Sequence, residues 1–330
     1  PYPYYGATGI LDYVEGYIFD EKLVLIGEDG AKWGAGDNSA FRIEGKTWVN
    51  NHAHVIRPIR ERILDKWLIY FLNGEDLSDF ITGMTVPKLN QGKLKEIQIP
   101  LPPIPEQQRI VAILDQAFAD IEKARANAEK NLKNARELFD SYLNQVFEEK
   151  VKTKVFKKKM LLEVCSLDKK QGHYTGLPYI GMEHIESMTG RFTGDMNAVE
   201  VKSSTFKFTR EHVLYGRLRP YLNKVFVPDF DVGHCSTEIM PLMVSRELER
   251  KYLFYWLSSS KIVEKINYTC TGARMPRANM KEVMSLEIPV PSISEQNNIC
   301  TILDKLTKSQ QELAASYEVK IVSLDELKKS

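Results

Sequence analysis

The chain has 330 residues, 43% of them hydrophobic and 27% charged, with a formal net charge of +1. This is enough apolar material for two ordinary cores with extended structure besides, and it excludes a chain drawn to nucleic acid by a global positive field, so any such charge must be local. The four cysteines lie far apart with no C-x-x-C pair, which fits a reducing cytoplasm better than a disulfide framework or a zinc site, and the longest apolar runs, such as Trp67 to Leu72, are too short to span a bilayer.

Residues 1 to 98 alternate short apolar runs (Tyr4-Tyr5-Gly6, Val24 to Gly27, Trp48 to Asn51) with turn signals, then reach a helical stretch from Trp67 to Phe80. A mixed α+β globe is expected. Its candidate contacts are Lys32 and Trp33 on a glycine-rich loop, and the polar run Asn50, Asn51, His52 and His54. In a strand Asn50, His52 and His54 share one face. Two histidines are too few for a metal, so the run is either a base-reading or phosphate-contacting surface or a hydrogen-bonded strand edge.

A loop from Thr82 to Lys88 then joins the globe to the segment IPLPPIPEQQRIVAILD at 99 to 115. Pro103 and Pro105 pre-set entry to a helix, and Glu106 in its first turn suits the macrodipole. Steps of four and three give a seam of Ile110, Leu114, Ala117, Ile121, Ala124, Ala128, Asn131, Ala135, Leu138 and Tyr142, a coiled-coil pattern on a long spacer helix. The lysine-rich stretch at 150 to 159 reads as a solvated linker or, close to DNA, a phosphate contact.

The second globe, about 160 to 287, is again mixed, and carries Arg217, Arg219, Tyr221, Asn223 and Lys224 on one expected loop. Arginine reads guanine, asparagine reads adenine, and lysine and tyrosine commonly hold phosphates, although a salt-bridged surface loop would use the same residues. The segment IPVPSISEQNNICTILD at 288 to 304 then matches the first in ten of seventeen positions, at a constant offset of 189 residues. The register extends upstream to Thr271-Gly272, Pro276-Arg277 and Asn279, so the loop with Arg274 and Arg277 repeats the loop with Lys88. Each loop is a backbone contact or a rigid hinge. The second seam is Ile299, Leu303, Leu306, Gln310, Leu313, Tyr317, Lys320, Leu324 and Leu327. Asn131 and Lys320 hold matching seam positions, where a polar residue either fixes register or frays toward solvent.

Two alike flanks do one job twice, and two divergent globes do two jobs. No phosphate-binding loop, nucleophile elbow, H-E-x-x-H pair or adenine methyltransferase tetrapeptide occurs, so no catalytic residue is expected. A globe closing on Thr-Gly, then I-P-[LV]-P-x-I-x-E-Q and a long I-L-D helix, twice over, resembles the specificity subunits of type I restriction-modification systems. The resemblance implies target recognition domains at 1–101 and 160–290, conserved helices at 102–149 and 291–330, and a basic linker at 150–159. It implies that the helices form an antiparallel coiled coil, and that the globes read the two halves of a bipartite site on double-stranded DNA. Two methyltransferase subunits would dock on the helices and restriction subunits would join them, with S-adenosylmethionine, ATP and Mg²⁺ on those partners and no cofactor or metal here. Residues 160 to 177 have no counterpart before Pro3. The competing reading is a protein- or RNA-binding scaffold with a coiled-coil arm.

Overall fold

The computed structural model describes residues 1–152, 156–195, 197 and 201–329. They form two compact units, one of Pro1–Asn131 with Ser316–Ser330, the other of Leu132–Ala315. Each is a mixed α+β globe packed on parts of two long helices.

In the first unit the strand Leu23–Gly27 is buried at every position and lies between Ala40–Ile43 and Ala53–Ile56, antiparallel to both. A central strand covered on both faces needs a continuous apolar run, which Leu23 to Ile26 supply. The helix Asp65–Gly74 lays Leu68 and Leu72 on one face of that sheet with Val24, Ile26 and Trp33, while Leu23, Leu25 and Val49 fill the other. A second sheet orders Gly9–Val14, Tyr2–Gly6, Lys46–Val49 and Phe19–Asp20.

The second unit repeats this plan. His212–Gly216 is buried throughout, between Val225–Phe226 and Ile239–Val244, and Cys165–Leu167 extends the sheet. The helix Arg250–Ser258 buries Tyr252, Leu253, Tyr255, Trp256 and Leu257 in one large core. The central strands themselves stand 189 residues apart, Val24-Leu25-Ile26-Gly27 against Val213-Leu214-Tyr215-Gly216. The repeat therefore runs through the middle of each globe, and the divergence lies in what surrounds it.

The stretch at 150–159 is not simply a linker. Lys157–Met160 is a strand paired antiparallel with Glu287–Val290, with Lys158 on Glu287 at 3.0 Å, while 153–155 fall outside the described residues. Exposed and half-exposed lysines in succession on an edge strand have the composition of solvated chain. The equivalent stretch of the first unit, 98–101, has no paired strand among the described residues, and Ile97, Ile99 and Leu101 there line a groove of about 550 Å³.

The long helices are Ile104–Lys152 and Ile293–Lys329. Within the first unit they run antiparallel, because Glu122 meets Lys328 and Arg125 meets Asp325, partner numbers falling as helix numbers rise. Ala128 is buried there and Ile121 and Ala124 are half-buried; in the second unit Leu132 and Ala135 are half-buried too. A strict 3.5-residue step drifts against the 3.6-residue turn, so several seam positions shift by one. Leu132, Phe139 and Ile321 face inward, whereas Asn131, Leu138 and Lys320 are exposed. Leu306 and Leu313 likewise lie outward, beside the half-buried Thr307 and Ala314, and Ala117 is exposed. Ile110, Leu114 and Leu324 are half-buried, and Ile299 and Leu303 join the core of the second unit. The exposed Asn131 and Lys320 set no register.

Candidate nucleic-acid interface

In each unit the singled-out residues converge at the end of the central strand. There the first unit brings together Gly27 to Trp33, Asn50 to His54 and the loop Thr82 to Lys88. Glu28 N–H donates to the His52 carbonyl at 2.8 Å, and Leu89 N–H donates to the Glu28 carbonyl at 2.8 Å. The second unit repeats the scheme with Arg217 N–H on the Glu238 carbonyl and Ala278 N–H on the Arg217 carbonyl, both at 2.9 Å.

The joining loops are closed alike. Thr82 and Lys88 exchange both backbone bonds, at 2.8 and 2.7 Å, and so do Thr271 and Arg277, at 3.1 and 3.0 Å. Gly83 and Gly272 each hold φ of +90°, where a side chain is strained, and a Cβ on Gly83 would stand 2.3 Å from the Val86 carbonyl oxygen. The closure recurs, but the tips differ: Met84-Thr85-Val86 in one and Ala273-Arg274-Met275 in the other, all exposed.

Each frame is braced by ion pairs that keep a base on the joining loop, Lys88 or Arg277, and reverse the charge that follows the central strand, Glu28 or Arg217. In the first unit Lys88 reaches Glu28 and Asp29, each at 3.2 Å, and His52 meets Asp29 at 2.5 Å. In the second the acid stands on the opposite strand, where Glu238 accepts from Arg217 at 3.0 Å and Arg277 at 2.9 Å. Burial pushes the Glu238 carboxyl up, but Arg277 and Arg217 outweigh it and hold it below the usual carboxylate range. Asp29 is lowered in the same way, Lys88 and His52 overcoming burial. A carboxylate whose folded pKa is depressed contributes stability that is fully present above its unfolded value and is lost as pH falls through the folded one. Protection of the 271–277 loop amides in hydrogen exchange is therefore expected to begin falling as acidification enters the ordinary glutamate range and to be lost only below it. Glu238→Gln should flatten that dependence, and an unchanged profile in the variant would count against the brace.

Several expected contacts do other work. Trp33 is buried and donates its indole N–H to the Gly27 carbonyl at 3.1 Å. Asn50 accepts from His52 N–H in a local turn at 2.9 Å, and His54 Nε2 lies 2.6 Å from the Leu89 carbonyl. Asn223 is buried at φ +43° with its amide donating to the Ser258 carbonyl, and Lys224 donates to the Met182 carbonyl at 2.6 Å. These five side chains shape the loops. Lys32, Asn51, Arg219, Tyr221 and Arg274 are exposed, and their side chains have no hydrogen-bond or ion-pair partner among the described residues. Arg219 is held at φ +50° with its N–H on the Pro276 carbonyl at 2.7 Å, which joins the two basic loops of the second unit. The second face thus sets four arginines, Arg217, Arg219, Arg274 and Arg277, against Glu238. The first sets Lys32, Lys88 and two histidines against Glu28 and Asp29.

The residues that the repeat keeps constant sit where globe meets helix. Gln107 and Gln296 are wholly buried in the first turns of the long helices. Gln107 accepts from Leu64 N–H at 2.9 Å and donates to the Arg62 and Pro102 carbonyls, each at 2.8 Å. Gln296 accepts from Glu249 N–H at 2.8 Å and donates to the Glu247 and Pro291 carbonyls at 2.8 and 2.9 Å. Further on, Asp115 accepts from Tyr70 and from Lys66 at 2.6 Å, and Asp304 accepts from Tyr255 at 2.7 Å and Lys251 at 2.8 Å. Burial, with hydrogen bonding to Asp115 behind it, pushes the Tyr70 hydroxyl up to about 12.

A family model described as "Type I restriction modification DNA specificity domain" matches residues 1–130 and again 140–321. The chain belongs to that family. Similar sequences include the specificity subunit of the type I restriction enzyme EcoDI of Escherichia coli, 25% identical over 92% of this chain and 75% of that one. A putative type I specificity subunit of Haemophilus influenzae is 41% identical over 36% of this chain and 30% of its own length. Two solved structures share the fold. One, described under complex assembly and conformational transition of the type I restriction-modification system, has TM-score 0.72 at 16% identity, covering 95% of this chain and 80% of that one. The other, the HsdS subunit of Thermoanaerobacter tengcongensis, has TM-score 0.58 at 17% identity over the same shares.

Proposed function

We propose that this cytoplasmic chain reads a bipartite site on double-stranded DNA, one half per globe, and carries two methyltransferase subunits and the restriction subunits on its helices. The observation that carries this is the repeat itself: one frame, one brace and one helix junction built twice, presenting different side chains. Arg219, Tyr221 and Arg274 face one half-site, with Lys32 and Asn51 facing the other, and the ion-paired bases hold the loops in place. Ile113 and Ile302 are equivalent by the same offset and both are exposed, which suits apolar docking of a partner twice. S-adenosylmethionine, ATP and Mg²⁺ belong to those partners, and the chain itself is not an enzyme.

The purified chain is expected to bind duplex DNA yet neither methylate it with S-adenosylmethionine nor cut it with ATP and Mg²⁺. Methylation should appear once the methyltransferase subunit is added. Turnover that stays with the chain through purification and is lost on mutating its own residues would sink the non-catalytic reading.

A further inference from the structure

Both long helices are tied to their globes by the same two attachments, and apolar packing would have been enough to hold them there. A wholly buried amide that commits both its donors and its oxygen to three backbone groups does something apolar packing does not: it admits one geometry. The aspartate, eight residues further along, makes a second attachment about 12 Å away on the helix axis, since each residue rises about 1.5 Å. One attachment leaves a pivot, whereas two fix an angle.

We propose that Gln107 with Asp115, and Gln296 with Asp304, are positioning residues for two-part recognition, setting each globe's angle on its helix and so the spacing tolerated between half-sites. The inference rests on the DNA reading above. The leverage is large. Ile104–Lys152 has 49 residues, about 74 Å of helix, so a swing of about 10° at one end moves the other by about 13 Å. That exceeds the rise of several base pairs at about 3.4 Å each. The tyrosines that complete the latches lie on the helices Asp65–Gly74 and Arg250–Ser258, whose Leu72 and Trp256 are core residues, so each latch ends in the rigid part of its globe.

The test uses the full chain and a pool of duplexes in which two randomised blocks are separated by spacers of varied length, sequencing the bound fraction. Tyr70→Phe with Tyr255→Phe keeps both rings and removes only the hydroxyls, and Asp115→Asn with Asp304→Asn weakens the same bonds from the other side. The wild-type chain is expected to select two blocks at one spacing. Both variants should select the same blocks while preference for that spacing over its neighbours falls about tenfold, one charge-assisted hydrogen bond being lost at each of the two junctions. Variants that melt earlier but keep the wild-type spacing preference would overturn the latch and leave the DNA reading intact. A wild-type chain that selects no two-block site overturns both.

Discussion

Gln296→Ala is expected to destabilise the second unit by about 2 to 4 kcal/mol, since three backbone groups around a wholly buried amide lose their partner at once and a buried group left unsatisfied costs about 1 to 3 kcal/mol. Those groups are Glu249 N–H and the carbonyls of Glu247 and Pro291. The alanine adds a void where the amide stood, and Ile299, Cys300 and Leu303 pack just beyond it in the same core. A domain stable by about 5 to 15 kcal/mol would lose a large part of that margin. Urea unfolding followed through Trp256, the tryptophan of this unit, should show the loss as a lower midpoint with unchanged slope. A change of under about 1 kcal/mol would mean that water replaces the amide, and the junction would then be less rigid than its geometry implies.

Arg219→Ala with Arg274→Ala is expected to weaken binding at the second half-site by about 2 to 4 kcal/mol, roughly 30-fold to 1,000-fold. Both side chains are exposed without partners among the described residues, so removing them frees no buried charge and leaves the fold alone. A guanine contact relaxes one position of the site, whereas a phosphate contact weakens all sequences alike and lowers the salt slope by about one per residue. Because the second face carries four arginines against one glutamate while the first is nearly balanced, the second half-site should also be the more salt-sensitive. Arg217→Ala should behave differently, because it strips a partner from Glu238 and acts on the loop as well as on DNA. If the double variant binds as the wild type does, the basic loops are structural.

How much of this was legible in the sequence depended on whether a feature was periodic or relational. The repeated I-P-x-P and E-Q segments announced two units and two helices, because identical spacing survives where composition says little. The deeper match of Val24 to Gly27 with Val213 to Gly216 stood at the same offset, but a four-residue run of strand residues carries too little pattern to be noticed alone. The seam was read in heptads, so it drifted by a residue at Leu138, Leu306 and Leu313 where the buried stripe follows the true helical turn. The site was legible as to place but not to role. Asn223, Lys224, Asn50 and Trp33 have the chemistry of DNA contacts, and only their partners, three carbonyls and for Asn50 the His52 N–H, show what they bond to within the fold. Gln107, Asp115, Gln296 and Asp304 were part of the loudest motif in the chain, yet their partners could not be read without seeing the glutamines meet backbone ahead of the helices Asp65–Gly74 and Arg250–Ser258 and the aspartates meet side chains on them.

The central claim is that two globes on one frame read two different DNA sequences held a fixed distance apart. Mapping methylated bases across a genome, after co-expression of this chain with its methyltransferase subunit, addresses it most directly. The expected result is one motif of two specified blocks separated by an unspecified gap of constant length, with Arg219→Ala and Arg274→Ala altering or losing one block only. Methylation at a single uninterrupted motif, or at two blocks with no preferred gap, would contradict it.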